Sequence, residues 1–329
     1  MDTTPRSFGA QALHYFHRSH DGAAPGEVGG AAAWRGPDVV GRDDWIVQFG
    51  DDDVAEIEVA ARACADLPLD RIGRENFALP GLAARVREWA REVDGGRGFL
   101  LLRGLPVEHW GEELSSIAFW GLGHHLGLPG GQNPQEELLG HVRDYGEDSS
   151  NPFVRKYRTA ANIAYHCDLA DVVGLLCLQP AKTGGASRIV SSVAVYDELR
   201  RRRPDLALRL YEPFLLDTRD EARDGRMPWV PVQPCCFTGG RLRTFYHSDY
   251  FRSVERHEAA PRFTAQEREL LDLYEAIAGS PEFYLDMNFE AGDIQLVSNH
   301  TVLHARTEYE DWPEPSRRRH LLRLWLSLE

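Results

Sequence analysis

The sequence predicts an α+β fold that is mainly β: a sandwich or jelly roll with helices packed on one outer face. Three observations in the 329-residue chain point there. Apolar residues recur at helical spacing up to about residue 126. From residue 161 the texture changes to short apolar or alternating runs broken by Gly and Pro. No internal repeat interrupts this order of helices first, then strands.

Taken in order, residues 1–40 are rich in Gly, Ala and Pro and read as a poorly periodic N-terminal extension, with residues 41–329 as one domain. His14, His17 and His20 recur every three residues; a surface helix explains them better than a metal site, because no later partner completes one. Residues 51–66 read as a helix whose acidic start suits the dipole, and 80–93 as a second, closed by Gly95-Gly96. The apolar run 98–104 between glycines is a buried strand, and a helix follows at about 111–126. Residues 129–160 carry Gly, Pro, Asn and charge and read as a long functional loop or lid. Strands are expected at Ile163 to Asp168, Val172 to Leu178 and Ser187 to Ser192, then a helix from Ala194 to Arg203. Arg200 to Arg203 fit a solvated helix C-terminus better than a docking patch. Residues 213–262 mix short strands with turns. Thr264 and Glu267 have capping-box spacing at the head of a helix over 264–279. Two strands, Asp293 to Leu303 and Arg319 to Leu328, end the chain.

Composition narrows the function. Hydrophobic content of 43% and charged content of 27% are those of a globular chain. A net charge of −14 argues against a nucleic-acid partner. No apolar run approaches the roughly 18 residues of a membrane span, and no N-terminal h-region appears, so the expected location is the cytoplasm. Cys64, Cys167, Cys177, Cys235 and Cys236 form neither a disulfide framework nor a CxxC zinc spacing.

The chemistry-bearing feature is His166-Cys167-Asp168 with His304 far downstream. In a strand, residues i and i+2 point the same way, so His166 and Asp168 can grip one ion while Cys167 faces the other side. Two imidazoles and a carboxylate occupy one face of six-coordinate Fe(II) and leave three positions open. A second pair, His247-x-Asp249, also precedes His304 and is the rival. The first is favoured by Gly184-Gly185-Ala186-Ser187, which can return a hydroxyl to the site, by Arg319 and Arg323 on one face of a strand, and by Asn162 four residues before His166. Taken singly, each has a bland reading as core histidine, turn cap, hairpin or surface charge; their order and spacing together do not.

That order resembles the taurine/2,4-D dioxygenase-like (TauD/TfdA) family of Fe(II)/2-oxoglutarate-dependent oxygenases over about residues 98–328. The resemblance rests on Gly98 to Gly104, Tyr165-His166-Cys167-Asp168, Gly184 to Ser187, Ala291-Gly292-Asp293 with Asn299, His304-Ala305-Arg306, and Arg319 to Trp325. It implies a double-stranded β-helix, the jelly-roll or cupin-like core, with iron at His166, Asp168 and His304. It also implies 2-oxoglutarate and O₂ as co-substrates. Arg319 would hold the distal carboxylate of 2-oxoglutarate with Ser187 in support, since the guanidinium fork matches a carboxylate. Arg323 would sit at its other end or near the prime substrate, and Asn162 would line the substrate pocket. The interval from His304 to Arg319 is longer than in well-known members, so Arg318 and Arg323 remain alternatives for the fork. Related halogenases replace the carboxylate ligand by a small residue; Asp168 therefore disfavours halogenation.

The implied reaction is oxidation of an unactivated C–H bond of a small molecule, with release of succinate and CO₂. Hydroxylation leads; a desaturase, a ring-forming oxidase, a zinc hydrolase and a catalytically silent metal-binding jelly roll are the rivals. The loop 129–160 and the segment 244–262 should cover the pocket mouth. Candidate lining residues are Gln132, Asn133, Asp171, Tyr246, His247, Asp249 and Arg323. Acids at 171 and 249 beside Arg323 suggest an amino-acid-like substrate. Homo-oligomerisation stays open.

Overall fold

The computed structural model describes residues 4–219 and 227–328; positions 220–226 of the expected 213–262 stretch lie outside it. The N-terminal half is largely helical: α1 (Phe8–Phe16), α2 (Gly36–Val39), β1 (Ile46–Gln48), α3 (Asp51–Ala63), α4 (Ala83–Gly95), β2 (Phe99–Arg103) and α5 (Val107–Leu126). Short strands β3 (Leu128–Pro129) and β4 (Gly140–Val142) punctuate the expected lid. Then come β5 (Ile163–His166), β6 (Val172–Gln179), β7 (Thr183–Gly184), β8 (Ser187–Ser191), α6 (Ser192–Arg202) and α7 (Pro204–Arg209). Next are β9 (Phe214–Asp217), β10 (Trp229–Val232), β11 (Cys235–Thr238), β12 (Arg241–Thr244), α8 (Ser248–Ser253) and α9 (Ala265–Ala278). The chain closes with β13 (Tyr284–Met287), β14 (Ile294–Ser298), β15 (Val302–Arg306), β16 (Tyr309–Glu310) and β17 (His320–Ser327).

Two sheets face each other as in a jelly roll. The larger runs β1-β2-β14-β6-β17-β3, with β4 also on β17; the smaller runs β13-β8-β15-β5. Strand alternation sorts the side chains. Phe99, Leu101, Val297 and Trp325 of the larger sheet point inward to meet Ile189, Leu285 and Val302 of the smaller. Leu100, Leu102, Leu296 and Leu324 point outward under α3, α4 and α5. Burying that outward row, at roughly 1.5–3 kcal/mol per large side chain, ties the first helical layer down. The expected helical layer on one outer face is therefore present, and a second one exists: α6, α7 and α9 back the smaller sheet over Val190 and Leu303. A sandwich whose two outer faces are both apolar requires cover on both.

Two further expectations change. The run Asp293 to Leu303 is not one strand. β14 belongs to the larger sheet and β15 to the smaller, and Asn299, His300 and Thr301 make the crossing. Continuous apolar character hid the break because both strands are buried on both faces. The first 40 residues also carry more order than their composition suggests. Ser7 caps α1, and Tyr15 is fully buried with its hydroxyl 2.9 Å from the Asn299 carbonyl it donates to. Among the described residues no helix is long and apolar enough to cross a membrane.

Candidate metal centre

The crossing from β14 to β15 and the end of β5 create the site. β15 pairs antiparallel with β5 so that His304 stands directly opposite His166. Asp168 follows in the turn beyond β5, whose shape Asn299 fixes from both ends. The Asn299 amide oxygen accepts from the Asp168 N–H at 3.0 Å, and its NH₂ donates to the Ala170 carbonyl at 2.9 Å. The donor atoms of His166, Asp168 and His304 all lie within 4.8 Å of one another. His304 Nε2 is 3.8 Å from one Asp168 oxygen and His166 Nε2 is 4.0 Å from the other. His166 Nδ1 is 2.9 Å from the Ala164 carbonyl, which can only accept; the proton therefore sits on Nδ1 and Nε2 offers its lone pair.

The protonation states suit a cation. Burial, then the nearby His166, pushes His304 down to about 3, so it stays neutral and ligating. Burial opposes ionisation of Asp168, yet Arg323, His304, His166 and the Trp325 N–H together hold its carboxyl below the usual range. That indole N–H donates to Asp168 at 2.9 Å. Cys167 points the other way into the core behind the smaller sheet, where burial raises its thiol to about 12. These residues fit a 2-His-1-carboxylate iron site.

Beside the triad the cavity wall carries Ser187, Arg306, Arg319 and Arg323. Arg319 is 4% exposed and its Nη1 has no partner; Arg306 is 5% exposed and its Nε and Nη1 have none. Both guanidiniums lie over the Tyr309 ring, at 5.1 and 4.8 Å. Burial, then the like charge of Arg319, lowers Arg306 to about 10. Two buried cations with unsatisfied N–H groups demand an anion, and the distal carboxylate of 2-oxoglutarate fits. Gly185, at φ +71°, permits this arrangement, because a Cβ there would lie 3.1 Å from Arg319 Nε. Ser187 donates to the Gln295 side chain at 2.9 Å and faces the same cavity. Arg318 is exposed and donates to the Trp312 and Pro313 carbonyls instead. Arg306 stands in the His304-Ala305-Arg306 motif quoted from the sequence but was given no role there, although its position two residues after His304 on one strand was the available signal.

The triad also opens onto a larger cavity of about 290 Å³, walled by residues 149–157 of the expected lid and by α8. His247 and Asp249 line it. They do not form the rival metal pair. His247 precedes helix α8 rather than lying in a strand, so it and Asp249 share no face. Its ring stacks on Tyr250, while Asp249 pairs with Lys156 at 2.8 Å. Arg323 reaches in, with Nη1 3.6 Å from Asp168.

Five sequence candidates lie elsewhere. Asn162 is exposed and lines neither cavity. The register of β5 against β15 slips by one residue between His166 and Ile163. This bulge turns Ile163, not Asn162, to the His166 side. Gln132 is buried and accepts from Arg323 Nε at 2.7 Å, so it positions Arg323 rather than lining the pocket. Its neighbour Asn133 caps its own turn through Gln135 and Glu137. Asp171 faces away and binds His300 and His14 at 2.7 and 2.9 Å. Tyr246 is buried and donates to Glu275.

The sequence reading missed Arg219. It is 7% exposed, lines the larger cavity and donates through Nη1 to the Tyr250 hydroxyl at 2.7 Å; its Nε and Nη2 have no partner. Its backbone stands at φ +56°, rare for an arginine, and Asp217 secures it by accepting the Arg219 N–H at 2.8 Å. Nothing in the charged sequence around it marks it.

Comparisons with known proteins identify the family and the fold. Residues 65–325 match the family described as "Taurine catabolism dioxygenase TauD, TfdA family". FR-33289 synthase of Streptomyces rubellomurinus is 29% identical over 307 residues, 92% of this chain and 91% of that protein. The taurine hydroxylase-like protein SAT17 of Stachybotrys chartarum is 28% identical over 317 residues, 91% and 79% of the two chains. A uridine-5′-phosphate dioxygenase of Amycolatopsis sp. is 29% identical over 204 residues, 57% of this chain and 70% of that one. The fold matches an asparagine oxygenase solved with Fe(II), hydroxyasparagine and succinate, with a TM-score of 0.68 at 17% identity over 86% of this chain and 93% of that one. The chain belongs to the TauD/TfdA family and is an Fe(II)- and 2-oxoglutarate-dependent dioxygenase.

Proposed function

We propose that the enzyme hydroxylates an unactivated C–H bond of a small molecule that carries an anionic group, held by Arg219 and Arg323. His166, Asp168 and His304 take the iron, while Arg319 and Arg306 take the distal carboxylate of 2-oxoglutarate. When bound, this pair supplies with O₂ the oxidising power for the C–H bond, and succinate and CO₂ leave. The chain's own residues set the direction. Tyr157 lies under the Arg323 guanidinium at 4.6 Å and Gln132 fixes its Nε, so the fork is preorganised. Residues 149–152 and 154–157 of the lid wall the cavity, where they would limit water around the reacting carbon.

The observation that carries the anionic reading is Arg219: a buried guanidinium with two unpartnered nitrogens, on a residue that lines the cavity. Around it stand Lys156 and Arg323, against Asp249, which Lys156 already neutralises. With Asp171 outside the cavity, the amino-acid-like reading keeps its acid end and loses half of its support for an ammonium end. Relatives are named for a phosphate ester and for a sulfonate, and structural neighbours hold hydroxyasparagine or hydroxyarginine, all of them acids. The test is succinate formation, with Fe(II) and 2-oxoglutarate, over panels of amino acids, sulfonates, phosphonates and phosphate esters. An acid should stimulate turnover and gain one oxygen atom in mass, with Arg219→Ala raising its KM. A substrate with no anionic group, or one whose KM ignores Arg219→Ala, overturns the reading. A product lighter by two hydrogens makes the enzyme a desaturase or cyclase.

A further inference from the structure

On the face of the larger sheet opposite the iron site, three side chains from different elements converge. β17 alternates, so Arg319 and Arg323 point to the oxygenase cavity while His320 points outward. β4 pairs with β17 with His141 opposite Leu322, which turns His141 outward too. Glu112 reaches both from α5, just beyond Gly111, where the helix is interrupted at φ +70°. His141 Nδ1 is 2.8 Å from His320 Nε2 and 3.8 Å from a Glu112 oxygen; the other Glu112 oxygen is 3.7 Å from His320 Nδ1. Donor atoms of the three residues all lie within 4.8 Å.

We propose that Glu112, His141 and His320 form a second metal site, for a borderline divalent cation such as Zn(II). Two imidazoles and one carboxylate match the nitrogen and oxygen donors such ions take, and a water would fill the fourth position. Among the described residues, only this cluster and the oxygenase triad bring three such donors together. At Zn–N distances of about 2.0–2.1 Å, the imidazole nitrogens need to part by about half an ångström, a small rotation for His141, whose side chain is 31% exposed. Such an ion would fasten β4, the paired strand within the lid segment, and the head of α5 to the strand that carries Arg319 and Arg323.

The competing account is a simple hydrogen bond between the two rings, which needs no ion. Equilibrium dialysis of the full chain against Zn(II), with metal counted by mass spectrometry, separates them. The His166→Ala/His304→Ala variant removes the oxygenase site and should still bind one ion per chain. Adding His141→Ala to it should weaken that binding at least tenfold, and Co(II) bound at the site should lose its visible absorption band. His141→Ala is half-exposed and spares the fold; circular dichroism checks this. No ion on the triad-free variant, or an ion whose affinity and Co(II) spectrum survive His141→Ala, overturns the proposal.

Discussion

Asn299 shows how much one buried side chain can decide at the residue scale. It is fully buried, and its amide spans the Asp168 N–H and the Ala170 carbonyl, so it shapes the turn that presents the carboxylate. Removing it strands a donor and an acceptor, each costing about 1–3 kcal/mol when buried without a partner. Asn299→Ala should therefore lower the unfolding free energy by roughly 2 kcal/mol or more and weaken Mn(II) or Fe(II) binding about 10–100-fold, as loss of a ligand-orienting group does. Calorimetric titration and urea melts measure the two. Unchanged metal affinity would mean that the turn holds itself. Arg306 and Arg319 make a second case. Each lies buried with unpaired N–H groups, so each should gain a partner when 2-oxoglutarate binds. Truncating either to Ala should cost about 2 kcal/mol or more of co-substrate affinity, roughly a thirtyfold rise in KM for 2-oxoglutarate, with kcat less affected. If Arg306→Ala leaves that KM unchanged, Arg319 grips the carboxylate alone.

Among elements, α1 is the one whose role the sequence concealed. Its composition gave no amphipathic stripe, yet Tyr15 inserts against His300 and Phe245 and His14 meets Asp171. Asp171 thus joins α1, the β14–β15 crossing and, through the Leu328 N–H, the C-terminal strand. Burial would raise its pKa, but the hydrogen bond with His300, the Leu328 N–H and His14 outweigh it and bring it to about 2. An unfolded Asp titrates near 3.9. Because the folded value is depressed, the stabilisation is fully present above the unfolded value and is lost as pH falls toward 2. Its size is about 2–3 kcal/mol. His300, held below its ordinary range by burial, works in the same direction, since acid must charge it. The urea midpoint of the native chain should fall between about pH 5 and 2, and Asp171→Asn should start lower and fall less. Equal slopes would place the acid sensitivity elsewhere. The helices at 51–66, 111–126 and 264–279 were legible from their apolar period, the last also from its cap: the Thr264 side chain accepts from the Glu267 N–H as its spacing implied. The β5 bulge and the strand crossing were not, since both depend on which strand lies alongside, and a single sequence leaves that unwritten.

At the scale of the whole molecule, the two sheets contribute different halves of one site. The smaller sheet and its turn bring His166, Asp168, His304, Ser187 and Arg306; the larger brings Arg319 and Arg323. The metal triad was readable from residue types, order and spacing, although the strand expected to run to Asp168 ends at His166 and Asp168 sits in the turn beyond, whereas Arg219 and the Gln132–Arg323 contact arise only when distant segments meet. This division has a thermodynamic consequence. On the proposed assignment, a metal ion gripped by the triad would stabilise mainly the smaller sheet, and 2-oxoglutarate, with its far carboxylate on Arg319, would tie both sheets together. A ligand that binds only the folded state stabilises it by RT ln(1 + [L]/Kd), about 2.7 kcal/mol at a hundredfold excess over Kd. Mn(II) should therefore raise the Tm by itself, and 2-oxoglutarate should add a second increment only when Mn(II) is present. In Arg319→Ala the first increment should survive and the second shrink; in His304→Ala both should vanish. Thermal melts under anaerobic conditions read all of these. A 2-oxoglutarate shift that persists without metal, or that survives in Arg319→Ala at full size, would mean that the co-substrate does not bridge the sheets through these groups.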